Sequence, residues 1–544
     1  MTFAVGPLLP LGALIWPLLL GMLTVWPTLR SMAARLLPLA PLPALWLAFA
    51  GSEGVTAAPD LLLGVTLELD PARRLLLGMT AAVWFVAGLA AQPMTGRPNM
   101  AIFSGFWCLV LAGNLGVLLA LDVVTFYVSF AAVSLASWFL IVHDRTETAL
   151  RAGRVYIAIA IAGEVALLVG LIIGADAAQS MAIEDIRAAL GTSGPDAVAL
   201  ALLVLGFGIK AGLVPLHVWL PLAHPAAPVP GSAVLSGAIV KAGLFGMILF
   251  VPEGAIGPIL MALGLVGAFG AALWGLTQAN PKAVLAYSTI SQMGLMILLV
   301  GAGGAARETV PYFAMHHGLA KGALFLLVGV TMAAQGRGRR LLCLGLAAAL
   351  CASIAGFPLT GGALAKTAVK QGLADWAALA LGFSSVTTSL IMLWFLSRLR
   401  QAERRDPTEP WAVRFSLPAA LLLAAVAVPW LLWSDWSGHG PDYVLKPDAL
   451  MDALWPVALA VPLAAAVLRW PLPQIPPGDL LLLLRPWQPR RLRTPKLPRF
   501  RADQDKARRT LERNAARLEK ALLRWQLTGV VIPFLVLLIF ALLA

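Results

Sequence analysis

Sixteen windows of about 20 apolar residues recur along this 544-residue chain, and they fix its class before any motif is read. A hydrocarbon layer of ~30 Å needs about 20 helical residues to cross it. Lipid offers backbone groups no partner, so a crossing segment must satisfy its own hydrogen bonds. The windows fall at roughly 7–26, 36–51, 74–92, 101–120, 122–142, 155–175, 197–219, 230–251, 255–276, 282–302, 310–333, 341–369, 375–396, 413–433, 450–468 and 525–543. Charged residues make up 12% of the chain, against about 25% in soluble domains. The expectation is an all-α polytopic membrane protein with about 16 transmembrane helices.

Charge between the windows gives an orientation. Arg30, Arg35, Arg97, Arg145, Arg151, Arg154, Lys282, Arg337, Arg339, Arg340, Arg398, Arg400, Arg404 and Arg405 occupy alternate connections. The intervening loops carry Asp60, Glu68, Asp70, Asp176, Glu184, Asp185, Asp196, Glu253, Asp435 and Asp442. By the positive-inside rule the basic loops are cytoplasmic and both termini lie outside, as expected in a cell inner membrane. Arg73 and Arg74 break the pattern. The net charge of +13 forms no soluble basic face, so no nucleic-acid partner is expected. Cys108, Cys343 and Cys351 lie in apolar runs without metal-ligand spacing, so no metal or disulfide is expected. The N-terminus lacks a basic n-region and an A-x-A site and reads as a first span.

Ionisable residues inside the windows are the functional signal, because each costs several kcal/mol to place in hydrocarbon. Lys210 lies about thirteen residues into span 7, ~20 Å deep at helical rise, too deep to snorkel. Glu164 in span 6 enters from the other face to a similar depth, so the acid and the base can pair. Two readings of that pair stand: a proton relay whose protonation shifts with the pairing, or a static buried ion pair. Lys241 lies about eleven residues into span 8. His316, His317 and Lys321 lie in span 11, with His317 and Lys321 four apart on one helical face. Lys366 follows the interruption IAGFPLTGGALAK in span 12. The run LVPLHVWLPLAHPAAPVP, with His217 and His224, joins spans 7 and 8 as supporting polar material.

Pro215 after Lys210, and Gly356 with Pro358 before Lys366, should break their helices. Such breaks survive at membrane depth only where protein or water satisfies the freed backbone. Two broken spans, each with a lysine and five positions apart, suggest two inverted five-helix repeats, spans 4–8 and 9–13, with the ion path near their interface. The expected organisation is therefore 1–100 for spans 1–3, 101–251 and 252–397 for the two repeats, and 398–468 for spans 14–15. A basic cytoplasmic segment at 469–524 and a last span at 525–544 complete it. The basic segment holds fifteen Lys/Arg against five acids. Ala507, Leu511, Ala515, Leu518 and Leu522 recur there at helical spacing. This amphipathic helix reads as a surface element drawn to anionic lipid or as a brace against a partner subunit.

The runs LVPLHVWLPLAHPAAPVPGSAVLSGAIVKAGLFG, NPKAVLAYSTISQMG and HHGLAKGALFLLVG closely resemble the antiporter-like subunits of respiratory complex I, Mrp-type cation/proton antiporters and membrane-bound hydrogenases. The similarity covers roughly spans 4–13. It implies that Lys210 is the central relay lysine, that Lys241 links the half-channels, and that His317 and Lys321 match the span-11 pattern. Lys366 then matches the basic or acidic residue of the second broken helix, and Glu164 resembles the span-6 acid of some members. One departure stands out: where the family carries a pattern like WELMSLASY, this chain reads FAAVSLASW, with Ala131 in place of the glutamate.

The resemblance implies a proton-translocating subunit of a multi-subunit energy-converting complex, with no active site and no cofactor of its own. Its partners would be neighbouring antiporter-like or small Mrp-like subunits, a soluble redox or zinc-containing module, and the bilayer. The alternatives are a Mrp-like sodium/proton antiporter subunit and a membrane subunit energising an inorganic-carbon uptake pump. A lipid-transferring membrane enzyme would want paired aspartates or a His/Asp loop at the membrane face, and His143–Asp144 is too little for that.

Overall fold

A computed structural model describes residues 9–478 apart from 192–195, 255, 404–410 and 471. Among these residues fourteen helices are long and apolar enough to cross a membrane, with a shorter apolar helix at Leu9–Met22. Every expected window up to residue 468 overlaps helix. The amphipathic helix of the basic segment and the window at 525–543 lie outside the described residues.

The chain opens with α1 (Leu9–Met22), then α2 (Arg30–Leu36) and α3 (Leu42–Ala50) joined into one span. A hairpin of β1 (Gly54–Ala58) and β2 (Val65–Leu69) follows. Next come α4 (Pro71–Ala90), α5 (Met100–Leu119), α6 (Val123–Ile141), α7 (Glu147–Ala178) and the short α8 (Ile183–Ala189). The seventh and eighth spans are built from α9 (Asp196–Ala211), α10 (Leu220–Ala226), α11 (Val229–Val234) and α12 (Val240–Phe250). Then follow α13 (Gly257–Leu265), α14 (Ala271–Gly275), α15 (Pro281–Ala302), α16 (Gly304–Glu308) and α17 (Val310–Ala333). The described helices close with α18 (Arg337–Ala355), α19 (Gly361–Lys370), α20 (Asp375–Gln401), α21 (Trp411–Leu431), α22 (Trp433–Ser437) and α23 (Pro447–Arg469).

Helices begin where a polar residue precedes an apolar run. Asp70, Asp122, Thr146, Asn280 and Thr360 each accept a hydrogen bond from a backbone N–H of the first turn they cap, satisfying an otherwise orphaned donor. Burial then ranks the spans. The span of α15 is 100% buried and that of α16–α17 94%, whereas α23 is 17% buried. A helix apolar on every side belongs in the core, so α15 and α17 form the centre and α17 carries its histidines and lysine there.

The β-hairpin departs from the all-helical expectation. In β2 Val65, Leu67 and Leu69 are buried while Thr66 and Glu68 are not, the period-2 alternation of a half-buried strand. A bridge from Leu67 to Ala120 and the Thr66 N–H donating to Asp122 tie this hairpin to the segment after α5, which a bridge from Asp122 to Ala182 joins in turn to the loop before α8.

The exceptions to the charge alternation also find a physical role. Arg74 donates to the carbonyls of Ala48 and Gly51 at the end of α3, and Arg73 to that of Ala120 after α5. Arg307 donates to Ile248 and Val251, both at 2.6 Å, at the end of α12. All three satisfy helix C-terminal carbonyls, where a cation is favoured by the dipole. They are bound within the protein, so they do not report orientation.

Two spans are interrupted. The seventh stops at Ala211, with Gly212 at φ +77°, and resumes through a 3-10 turn, Leu216–Trp219. The break thus begins three residues before Pro215, because glycine takes the left-handed turn without a Cβ clash. The twelfth stops at Ala355, with Gly356 at φ +89°, and resumes at Gly361. Two π-turns, Leu235–Ile239 and Val266–Gly270, lie inside the eighth and ninth spans. Neither was expected from sequence.

Candidate functional site

Lys210 lies in the last turn of α9, against the carbonyl end of a half-helix, where a cation is stabilised. Its ammonium donates to Tyr156 Oη at 3.1 Å, and Tyr156 Oη donates to the Ser134 carbonyl at 2.5 Å. The rings of Tyr156 and Trp219 lie 5.5 and 6.0 Å from Nζ, within cation–π range. Trp219 is pinned by its indole N–H on the Ile209 carbonyl at 2.7 Å.

Glu164 faces the same group. Ser134, Tyr156, Glu164, Lys210 and Trp219 line one cavity of about 10 Å³ open to a water's centre, close to the ~10–15 Å³ that one water requires. The Glu164 carboxylate is within electrostatic reach of Lys210, and its Oε2 has no hydrogen-bond partner among the described residues. The expected acid–base neighbours are thus brought to one cavity, but the ammonium bonds Tyr156 rather than forming a direct ion pair. Ala131 leaves the neighbouring helix without a carboxylate, so Glu164 on α7 is the acid that faces Lys210.

The central group gathers around α17. Lys241 donates to the Ser236 carbonyl at 2.6 Å. That carbonyl is free because the π-turn sends the Val240 N–H to Leu235 instead, so the helix irregularity creates the lysine's partner. Lys321 donates to Ser288 Oγ at 2.6 Å and to the Leu285 carbonyl at 3.2 Å. His317 is within electrostatic reach of both lysines, and His224 of Lys241, Lys321 and Lys282. Both ring nitrogens of His224 and of His317 are buried without a hydrogen-bond partner among the described residues. His224 stacks on Phe325 with centroids 4.4 Å apart.

The far group sits at the second break. Lys366 donates to the Ala355 carbonyl at 2.9 Å and to Ser385 Oγ at 2.8 Å. Ala355 is the last residue of α18, so Lys366 also occupies the carbonyl end of a half-helix. His316 Nε2 shares a 2.8 Å hydrogen bond with Ser353 Oγ and lies within reach of Lys366. Lys366 lines an open vestibule of about 570 Å³ with Lys370, Asp375, Asp448 and Asp452. A second vestibule of about 510 Å³ opens on the basic-loop face among Arg97, His143, Asp144, Pro228 and Leu326.

The structure therefore divides the expected residues into Lys210 with Glu164, Lys241 with Lys321, His317 and His224, and Lys366 with His316. The first two groups meet through backbone packing: a Cβ at Gly243 of α12 would lie 3.0 Å from Lys210 Cβ. His217 is buried in the 3-10 turn between them, its ring 6.2 Å from Tyr287. Sequence reasoning did not name Tyr156, Trp219, Ser288, Ser353 or Ser385. Hydroxyls and rings are unremarkable in apolar helices, although Tyr156 and Glu164 share a helical face at a spacing of eight. Among the described residues no cluster of three or more His, Cys, Asp or Glu is placed to hold a metal.

Known proteins share this arrangement of spans. The family profile for the transmembrane region of NADH:quinone oxidoreductase and Mrp antiporters matches residues 120–392. Hydrogenase-4 component B of Escherichia coli (strain K12) is 33% identical over 246 residues, covering 41% of this chain and 37% of that protein. A Na(+)/H(+) antiporter subunit of Bacillus subtilis (strain 168) is 26% identical over 426 residues, 72% of this chain and 86% of that one. With the first curated relatives the chain shares about half their length or less. A chain of the Mrp complex from Dietzia sp. DQ12-45-1b superposes with TM-score 0.68 at 22% identity, over 96% of this chain and 63% of that chain. The archaeal membrane-bound sulfane sulfur reductase gives TM-score 0.64 at 21% identity, over 84% and 99%. This multi-pass membrane chain belongs to the NADH:quinone oxidoreductase/Mrp antiporter transmembrane family.

Proposed function

We propose that this chain is a proton-translocating antiporter-like subunit of a multi-subunit membrane energy-converting complex. One observation carries the reading: four buried ring nitrogens, on His224 and His317, face a cluster of lysines without protein partners among the described residues. Buried polar groups are satisfied by protein or by water, so this centre suits a hydrated chain better than a dry salt-bridge network. Protons would enter by the basic-loop vestibule, pass His224, Lys241, Lys321 and His317, and leave by His316, Lys366 and the acidic-loop vestibule. Lys210 and Glu164, sharing one cavity, would carry protons as the neighbouring part of the same relay. The basic loops would face the cytoplasm of an inner membrane, and the two broken helices would hold equivalent places in two inverted five-helix units. Relatives named as hydrogenase, quinone oxidoreductase and antiporter components point to membrane subunits as partners.

Sodium/proton exchange is the second reading, supported by the coverage of 86% of the Bacillus subtilis antiporter component. The test is proton uptake by vesicles holding the intact complex, with and without sodium, for the native chain and for Lys210→Ala. Lys210→Ala should abolish uptake, and a sodium requirement would select the exchange reading. Undiminished uptake in Lys210→Ala would sink both.

A further inference from the structure

We propose that the Tyr156 hydroxyl is a second docking position for Lys210, so that the lysine works between a neutral phenol and the Glu164 carboxylate. This rests on the transport reading above and adds a residue to it. Four observations converge. The ammonium is hydrogen-bonded to Tyr156 Oη at 3.1 Å and forms no ion pair with Glu164 among the described residues. Tyr156 spends its proton on the Ser134 carbonyl, so its oxygen presents lone pairs to Lys210 and acts as acceptor only. Ser134 stands at the junction: its carbonyl fixes the phenol, and its side chain faces Glu164. The cavity that all four residues line leaves room beside the ammonium, and Glu164 Oε2 is an acceptor with nothing bound to it among the described residues.

These features describe a lysine with one occupied acceptor and one vacant, stronger acceptor across a water-sized gap. An ammonium–carboxylate contact adds the attraction of two opposite charges to the hydrogen bond, whereas the phenol offers the ammonium only a neutral oxygen. The phenol therefore holds the ammonium loosely enough to release it. A proton arriving at or leaving Glu164 would change which acceptor wins, and a rotation of the flexible lysine stem would follow. Tyr156 is a positioning residue in this scheme, because the transferred proton resides on lysine and carboxylate. The T-shaped contact of Tyr156 on Trp219, with centroids 5.1 Å apart, keeps the phenol in place whichever partner the lysine takes.

The test is a double-mutant cycle on the intact complex in vesicles: Tyr156→Phe, Glu164→Gln, both together, and Lys210→Ala. Phenylalanine keeps the ring packing and removes the hydroxyl, which is both the acceptor for Lys210 and the donor to the Ser134 carbonyl. Tyr156→Phe should slow proton uptake roughly tenfold, the scale of one lost hydrogen bond to a charged group. Because the two residues serve one lysine, the double variant should be less impaired than the product of the single effects. Multiplicative effects would mark Tyr156 as a packing residue and overturn the proposal, as would Tyr156→Phe at the native rate. Should the phenylalanine variant fail to assemble, 3-fluorotyrosine at position 156 retains the hydroxyl with altered acidity. A changed rate there supports the docking role and an unchanged one overturns it. Lys210→Ala separates the two failures: if it transports normally the transport reading itself is wrong, whereas if it is dead the phenol alone is in question.

Discussion

A methyl group at Gly243 tests whether the spacing of the two lysine-bearing helices matters. The Cβ of Gly243→Ala would lie 2.5 Å from the Phe207 carbonyl oxygen, 2.6 Å from the Ala211 nitrogen and 3.0 Å from Lys210 Cβ. The first two are backbone atoms, which cannot rotate aside. Ordinary contact begins near 3.4 Å, so α12 and α9 must part by about 0.9 Å. Overpacking of this kind costs ~1–3 kcal/mol, while alanine recovers ~1 kcal/mol of helix propensity over glycine. The stability loss should therefore be small, about 0–2 kcal/mol. Transport should suffer far more, because a displacement of ~1 Å at a reacting centre can cost on the order of a hundredfold. Thermal shift and proton uptake on the same preparation measure both. Gly12→Ala is the control: it meets no heavy atom within 4 Å and should leave transport unchanged. Native-rate transport by Gly243→Ala would refute the claim that this seam sets the distance between the lysine groups.

The remaining predictions separate stability from transport in other ways. His317→Leu replaces a buried ring without a hydrogen-bond partner among the described residues with an apolar group, so thermal stability should hold or rise while uptake falls; a loss of both would argue that the ring is structural. Arg307→Ala strands the carbonyls of Ile248 and Val251 and should cost about 1–3 kcal/mol, with Arg307→Lys recovering part; denaturation at matched detergent decides it. His143 lies beyond the end of α6, and burial holds its pKa below the ordinary range. Its unfolded form binds more protons at mildly acid pH, so its contribution is full above ~6.5 and is lost as pH falls below that. His143→Phe, packing on Phe103 as the imidazole does, should flatten the acid limb of a stability–pH profile, and an unchanged limb would count against burial as the cause.

Much of the architecture was legible in the sequence because hydropathy is a local property. A run of about 20 apolar residues must cross the membrane as helix, so the spans up to residue 468 could be placed without knowing any neighbour. The lysines and histidines were equally visible, since a charge inside such a run is costly wherever it points. The glycines and prolines at the two breaks announced themselves through backbone restrictions that act within a few residues. In the seventh span Gly212 takes the left-handed turn three residues before Pro215, within the stretch that the proline leaves without its backbone donor.

What the sequence left open depends on pairs far apart in the chain. Lys366 bonding Ser385, Lys321 bonding Ser288 and Lys210 bonding Tyr156 are decided by how helices rotate and cross. Serine and tyrosine carry no mark in an apolar span to announce such partners. The same holds for the carbonyl that holds Lys241, which exists only because a π-turn displaces one backbone bond. The arginines that broke the loop pattern needed tertiary contacts to be explained. Composition and order along the chain thus determined that charges would be buried and at what depth. Only packing decided which oxygen each would meet, because a hydrogen bond depends on fractions of an ångström between elements that the sequence merely enumerates.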